Sequence, residues 1–341
     1  MKPAHSARGR RGRAAGAQRG KSRSSHLDGR RNTPGFNDRR MDHIASISRS
    51  SGLEKDGDSL KDYGLQESYR TFIDEKLKAF WDVYMVESRE ADALRRQKRD
   101  GQENILILFR KLREGIFSSG RKDKFALEVY ETSLYCSVIF DSPAQTTSIL
   151  SHPLPSMYAS TNAPHPSCFV TVLIILLHNL VNAYPSQRTY FEQLKQITPN
   201  FLERSSPPYG WIATLALSLR TLNFIRFEQL SRPAAFEQLL PPVPDAIGAF
   251  RNLPRDALSS LVSRLRLKAR GTAWAVLRNG YRELSSSEGT RSWLCRQLLF
   301  ESIALEHPAV HFEEWVEEEC RHGHLRRKEG IDGRWIVCKP R

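Results

Sequence analysis

The stretch Leu112–Phe140, LREGIFSSGRKDKFALEVYETSLYCSVIF, narrows what this chain can fold into more than any other. It joins the end of one amphipathic helix, through a polar turn, to a second helix that is apolar over most of its circumference. At about 100° per residue, Phe125, Val129, Cys136 and Phe140 fall on one side. Tyr130, Leu134 and Val138 continue the apolar surface, and Glu128 and Glu131 share the remaining edge. A helix apolar over that much of its girth needs neighbours on several sides. The pattern predicts the inner helix of a stacked array.

The text on either side repeats this grammar. Tyr69, Phe72, Ile73, Leu77, Phe80, Trp81, Tyr84 and Met85 recur at helical spacing. Charged residues from Glu87 to Arg99 are expected to take that helix out of the core. Ile105, Leu108, Phe109, Leu112 and Ile116 then line one face of the next, which Ser118, Ser119 and Gly120 break. A short helix is expected in Pro143–Tyr158, interrupted by Pro153 and Pro155. Cys168–Tyr184 reads as a buried helix ending at Pro185; its apolar run, Phe169–Val181, is too short to span a bilayer. Ser186–Ile197 (with Ser186 as N-cap), Tyr209–Asn223 and Phe224–Leu230 complete the series. Several helices on short links, with no strands between them, predict an all-α helical-repeat array of the α-solenoid, TPR-like or PCI-like kind over residues 65–250.

After Pro241, Pro242 and Pro244, residues 251–341 change character. A long helix (Leu258–Arg278) is followed by a turn with a cap at Leu284–Ser287, then by a helix holding Trp293, Leu294, Leu298 and Leu299. A further helix, Phe312–Cys320, ends at His322-Gly323. Two short segments, His324–Lys328 and Arg334–Lys339, flank the turn signal EGIDG. Three helices and a small terminal β-hairpin predict a C-terminal winged helix.

Charge separates these regions from residues 1–62, an Arg-, Gly- and Ser-rich tail too poor in large apolar residues to order itself. Residues 1–50 hold 13 Lys/Arg and 3 Asp, so +10 of the net +14 lies there. Arg8–Arg23 is suited to phosphates or RNA, or to nuclear import. A solubilising tail and a transit peptide fit the same text, the latter because the first 27 residues lack acids. The five cysteines are odd in number and widely spaced, without a CxxC pair, which fits reduced thiols rather than a disulfide framework or structural zinc.

Three passages carry a resemblance to a known family: LREGIFSSGRKDKFALEVYETS (112–133), LALSLRTLNFIRFEQL (215–230) and LRLKARGTAWAVLRNGYRELSSSEGTRSWLCRQLLFES (265–302). They resemble the SAC/GANP/Thp group of mRNA-export and transcription-coupled scaffolds. The matching motif positions are Leu112, Arg113, Phe125, Glu128, Val129, Tyr130, Glu131, Asn223, Arg226 and Phe227. Glu114-Gly115 stands where the family has Asp, and Glu228 where it has a second Phe. The resemblance implies a helical array closed by a winged helix, pairing with a PCI-domain protein. It further implies a small acidic Dss/Sem-type protein held indirectly, RNA or DNA as ligand, and the nucleus as location, with the cytoplasm as a second.

The candidate nucleic-acid-binding residues are Arg326, Arg327 and Lys328 on one strand of the hairpin and Arg334 and Lys339 on the other. A wing offers such side chains to a phosphate backbone with little sequence specificity. Leu325, Trp335 and Val337 are expected to anchor it. The acidic run Glu313, Glu314, Glu317, Glu318 and Glu319 lies beside it. Arg264, Arg266, Lys268 and Arg270 could follow phosphates, but a solvated face is the plainer expectation. Glu128 and Glu131 are expected to pair with Arg113 or Arg121 rather than to act as an acid/base pair, since no nucleophile or Gly-rich loop accompanies them. His178 and His152 read as structural. His322 and His324, with Cys320 nearby, lack a fourth zinc ligand. The chain is therefore expected to be no enzyme, with no cofactor, metal, membrane or small-molecule substrate. The alternative function is a structural subunit of a proteasome-lid or related PCI complex without nucleic-acid binding.

Overall fold

The computed structural model describes residues 41–44, 46, 59–84, 92–151, 168–240, 252–303 and 309–339. Most of the basic tail, His152 and the prolines Pro153, Pro155, Pro241, Pro242 and Pro244 lie outside these residues. Helices α1 (Tyr63–Tyr84), α2 (Asp92–Ser119), α3 (Lys124–Ile139), α4 (Pro143–Leu150), α5 (Cys168–Ala183) and α6 (Arg188–Phe201) come first. They are followed by α7 (Pro207–Arg220), α8 (Phe224–Leu230), α9 (Pro233–Glu237) and the long α10 (Leu253–Gly280). The chain ends with β1 (Glu283–Ser285), α11 (Glu288–Gln297), α12 (Phe312–Arg321), β2 (Leu325–Arg327) and β3 (Arg334–Val337). The described residues are mostly helical, an all-α architecture with few strands.

The opening stretch folds as its pattern requires. Asp123 caps α3 by accepting the Ala126 N–H at 3.0 Å. Val129 through Ile139 are then buried without interruption, polar residues included. Neighbours supply part of what those polar groups need, whereas the buried Ser133 Oγ bonds no described residue. Tyr135 Oη lies 2.8 Å from Thr171 Oγ1 on α5, and that hydroxyl donates to Glu131 Oε1 at 3.0 Å. The Ser137 and Thr146 hydroxyls meet at 2.9 Å between α3 and α4. Helices α1, α2 and α3 pack in succession, α10 lies against both α3 and α5, and α5 is backed by α6 and α7.

From Asp92 to Asn104 the charged text forms the opening turns of α2 and stays exposed or half-buried, outside the core as expected. Two other expectations change. Order begins earlier than residue 65. Ile44, Ser46 and Leu60 are buried, and a short 3-10 helix at Ser59–Lys61 packs on α1 and α2. The second concerns Arg264, Arg266, Lys268 and Arg270 of α10, which do not form a free solvated face but bond to neighbouring elements, Lys268 while still exposed. Arg264 donates to Val138 O at 2.8 Å and pairs with Asp141. Lys268 Nζ donates to Val181 O at 2.6 Å, and Arg270 donates to Leu298 O and Leu299 O, each at 2.8 Å. Arg266 is 2% exposed and reaches Ser231 Oγ at 2.6 Å and Glu301 O at 3.2 Å. The carbonyls of Val138, Val181 and Leu298 stand at helix C-termini, where the last four carbonyls lack intrahelical donors.

Gly115 explains part of the departure at Glu114-Gly115. A Cβ there would sit 2.6 Å from Leu60 O and 2.8 Å from Leu60 Cβ, so only glycine lets the 3-10 helix approach α2. Gly115→Ala is expected to destabilise the fold by about 1–3 kcal/mol through overpacking, despite a helix-propensity gain of about 1 kcal/mol. Gly271→Ala, in open space on α10, is expected to stabilise by about 0.5–1 kcal/mol. Denaturant unfolding of the two variants checks both signs.

Candidate nucleic-acid interface

The three strands form an antiparallel sheet in the order β1–β3–β2. The hairpin turn works because Gly330 and Gly333 take positive φ, 76° and 69°, which β-carbon-bearing residues resist. Gly333 is doubly constrained, since a Cβ on it would meet Ser286 Oγ at 2.2 Å. Strand β1 takes Leu284 and Ser285 from Leu284–Ser287, expected as a turn with a cap. Three residues are too few for an alternating period to show, and the partner strand lies some fifty residues away. Ser287 does precede α11, but its side chain caps no backbone N–H; it bonds Ser285 and Thr290 instead.

Register sorts the hairpin residues. Leu284, Trp335 and Arg327 share one row, with Leu325 and Val337 on the same face. Leu284, Leu325 and Val337 are buried there, and Trp335 meets the Phe312 ring of α12 at 6.2 Å. The opposite face carries Arg326, Ile336 and Glu283 in one row and Arg334 and Ser285 in the next. The five candidate cations thus divide. Arg326 and Arg334 are exposed on the outer face, Arg327 is exposed at the end of the inner row, and Lys339 is exposed beyond β3. Lys328 bonds Glu283 Oε1 at 2.7 Å, and Arg334 lies 3.7 Å from Glu283 Oε2. The hydrogen bond from Lys328, with the charges of Lys328 and Arg334, holds the Glu283 carboxyl below its usual range. Neither the Arg326 nor the Arg327 side chain makes a hydrogen bond or ion pair with a described residue, their backbones being in the β2–β3 ladder. Helix α12 turns Phe312, Trp315 and Val316 inward and Glu313, Glu314, Glu317 and Glu318 outward, so acidic and basic surfaces adjoin.

The residues on which the resemblance rests sit elsewhere, among the packed helices. Leu112, Val129, Tyr130 and Phe227 are core. Asn223 caps α8 by accepting the Arg226 N–H at 3.0 Å, and the exposed Arg226 side chain reaches Gln229. Glu228, standing where the family has Phe, is buried and pairs with Arg232 at 2.7 Å. Glu128 and Glu131 do not pair with Arg113 or Arg121. Glu128 takes two hydrogen bonds from Arg70 on α1, at 2.7 and 3.1 Å. Arg121 bonds Glu67 and Asp123, and its guanidinium lies 4.0 Å from the Phe125 ring centroid. Arg113 is buried with its Nε unbonded and its guanidinium 6.0 Å from the Tyr130 ring; burial pushes its pKa down to about 10. The partners Arg70, Glu67 and Tyr130 come from other helices, and no local spacing announces them; only Asp123 and Phe125 lie close to Arg121 along the chain.

His178 is buried as expected, and its Nε2 lies 2.8 Å from Asn182 Nδ2 and 3.3 Å from Thr147 Oγ1. Burial, with the charge of Arg264, pushes its pKa down to about 4. A base whose pKa is depressed on folding contributes stability above its unfolded value, near 6.5, and that contribution is lost as pH falls towards 4. Acidification across this window is expected to cost up to about 3 kcal/mol. The loss is expected to shrink in His178→Gln, as urea unfolding of both proteins between pH 7 and 4 checks. No model of a known protein family matches the chain, and no curated protein matches it either.

Proposed function

We propose that the chain is a non-enzymatic scaffold of nuclear mRNA biogenesis or export, of the SAC/GANP kind. In this reading the helical array holds other subunits. The C-terminal region acts as a winged helix that packs against a PCI-domain partner and contacts RNA or DNA phosphates, and a Dss/Sem-type protein joins through that partner. The order helix, strand, helix, helix, strand, strand supports the winged-helix assignment. The observation that carries the nucleic-acid role is the pair Arg326 and Arg327, adjacent in sequence and exposed on the hairpin, with side chains that make no ion pair with described residues. Cations already held by carboxylates have less to gain from a phosphate. A second reading, a structural subunit of a lid-type PCI complex, draws support from the outward glutamates of α12 and from the neutralisation of Lys328 and Arg334 by Glu283.

Fluorescence anisotropy of a labelled single-stranded RNA, titrated with the full chain over a salt series, separates the two. The scaffold reading expects Arg326→Glu/Arg327→Glu to weaken binding at least tenfold and to lower the salt slope by about 1.4, from roughly 0.7 per lost contact on a single strand. Glu283→Gln is expected to tighten binding a few-fold by releasing Lys328 and Arg334. Absence of binding even at low salt would favour the lid-type subunit. Purification of the complex then identifies the partner: a PCI protein with export factors on the first reading, proteasome subunits on the second.

A further inference from the structure

We propose that Glu319, His322 and His324 form a site for one divalent transition-metal ion of the zinc class, at the junction of α12 and β2. The three residues follow one another along the chain, but the fold aims them at one point. Helix α12 ends with His322 as C-cap and Gly323 at φ 72°. The His324 N–H turns back to Glu319 O at 2.9 Å, and the Cys338 N–H bonds His324 O at 2.9 Å, fixing the segment to the end of β3. This reversal lays His324 over Glu319, so that the ligand-capable atoms of all three residues lie within 4.8 Å of one another.

The donors are also held. Glu319 Oε2 is 2.6 Å from His324 Nδ1 and accepts the indole N–H of Trp274 at 2.7 Å. The Glu319 side chain is only 13% exposed, whereas His322 stands in solvent and supplies an entry side. The two imidazole centroids are 5.8 Å apart. An ion held by two imidazoles at about 2.0–2.1 Å brings the ring centres to roughly 5 Å in tetrahedral geometry, so a small side-chain rotation closes the set. Imidazole and carboxylate donors suit zinc, nickel or copper, whereas magnesium and calcium want mostly oxygen. Three protein ligands leave a position for water or for a side chain of a bound partner. The cysteine that the sequence placed beside the histidines is not in the cluster; the neighbouring Glu319 is, one residue earlier on the helix.

Titration of the full-length reduced chain with Co2+, followed by visible absorption, and with Zn2+, followed calorimetrically, tests the site. One ion per chain is expected, with a nitrogen- and oxygen-ligated cobalt spectrum. His322→Ala is expected to bind at least tenfold more weakly while keeping the wild-type melting temperature without metal, since His322 is an exposed residue. Cys320→Ser is expected to bind as the wild type does. The proposal is overturned if the wild type takes up no ion, if His322→Ala binds as tightly, or if cobalt shows thiolate charge-transfer bands.

Discussion

The fold depends on where the carbonyls at its helix ends go. A helix terminus leaves four carbonyls without intrahelical donors and concentrates the negative end of the helix dipole. When such an end is packed against another element rather than water, something must donate to it. Here α10 does so. Over 28 residues, about 42 Å of helix, it sends Arg264 to the end of α3, Lys268 to the end of α5 and Arg270 to the end of α11. Arg266 bridges the end of α8 and the segment after α11, and Arg278 reaches Cys338 O beside β3 at 2.9 Å. One helix thus joins the helices before it to the sheet-bearing region after it.

These contacts do not simply add stability. Burial pushes the Arg266 pKa down to about 10 and lowers that of Arg270. The guanidinium groups stay charged at neutral pH and carry a desolvation cost that carbonyl bonds only partly repay. What they secure is register. Rotating α10 by one residue moves each cation about 100° around the axis and breaks these bonds, leaving the 2% exposed Arg266 guanidinium without its Ser231 and Glu301 acceptors. Apolar packing alone, by Leu258, Leu261, Val262, Leu265 and Ala269, is more tolerant of such slips.

This arrangement also marks the limit of what the amino-acid text discloses. The helices, the buried character of α3 and the terminal hairpin follow from periodicity and turn chemistry, because those signals are local. The fate of Arg264–Arg270 does not. An alternating basic helix reads the same whether it faces water, phosphate or the carbonyls of other helices, and a carbonyl has no signature in a sequence. The partners of Glu128 and Glu131, Arg70 and Thr171, come from α1 and α5. Strand β1 is missed for the related reason that three residues become a strand only when β3 arrives beside them.

The distinction carries through to the candidate surface. Composition assigns the chain a surplus of +14, but a surplus of cations is not a surplus of available cations. Arg264, Arg266, Lys268, Arg270 and Arg278 of α10 bond backbone oxygens, and Arg255, Arg121, Arg70 and Arg232 bond carboxylates. On the sheet, alternation separates the two jobs within the short strands β2 and β3. Leu325 and Val337 hold the inner face, while Arg326 and Arg334 stand outside, where a change of charge does not disturb the packing. Glu283, from the strand that sequence reasoning missed, then decides which of the outer cations are left over, engaging Lys328 and Arg334 and leaving Arg326. The part of the hairpin able to meet a polyanion is therefore set by a residue some forty positions away, and it becomes visible only once β1 is placed against β3.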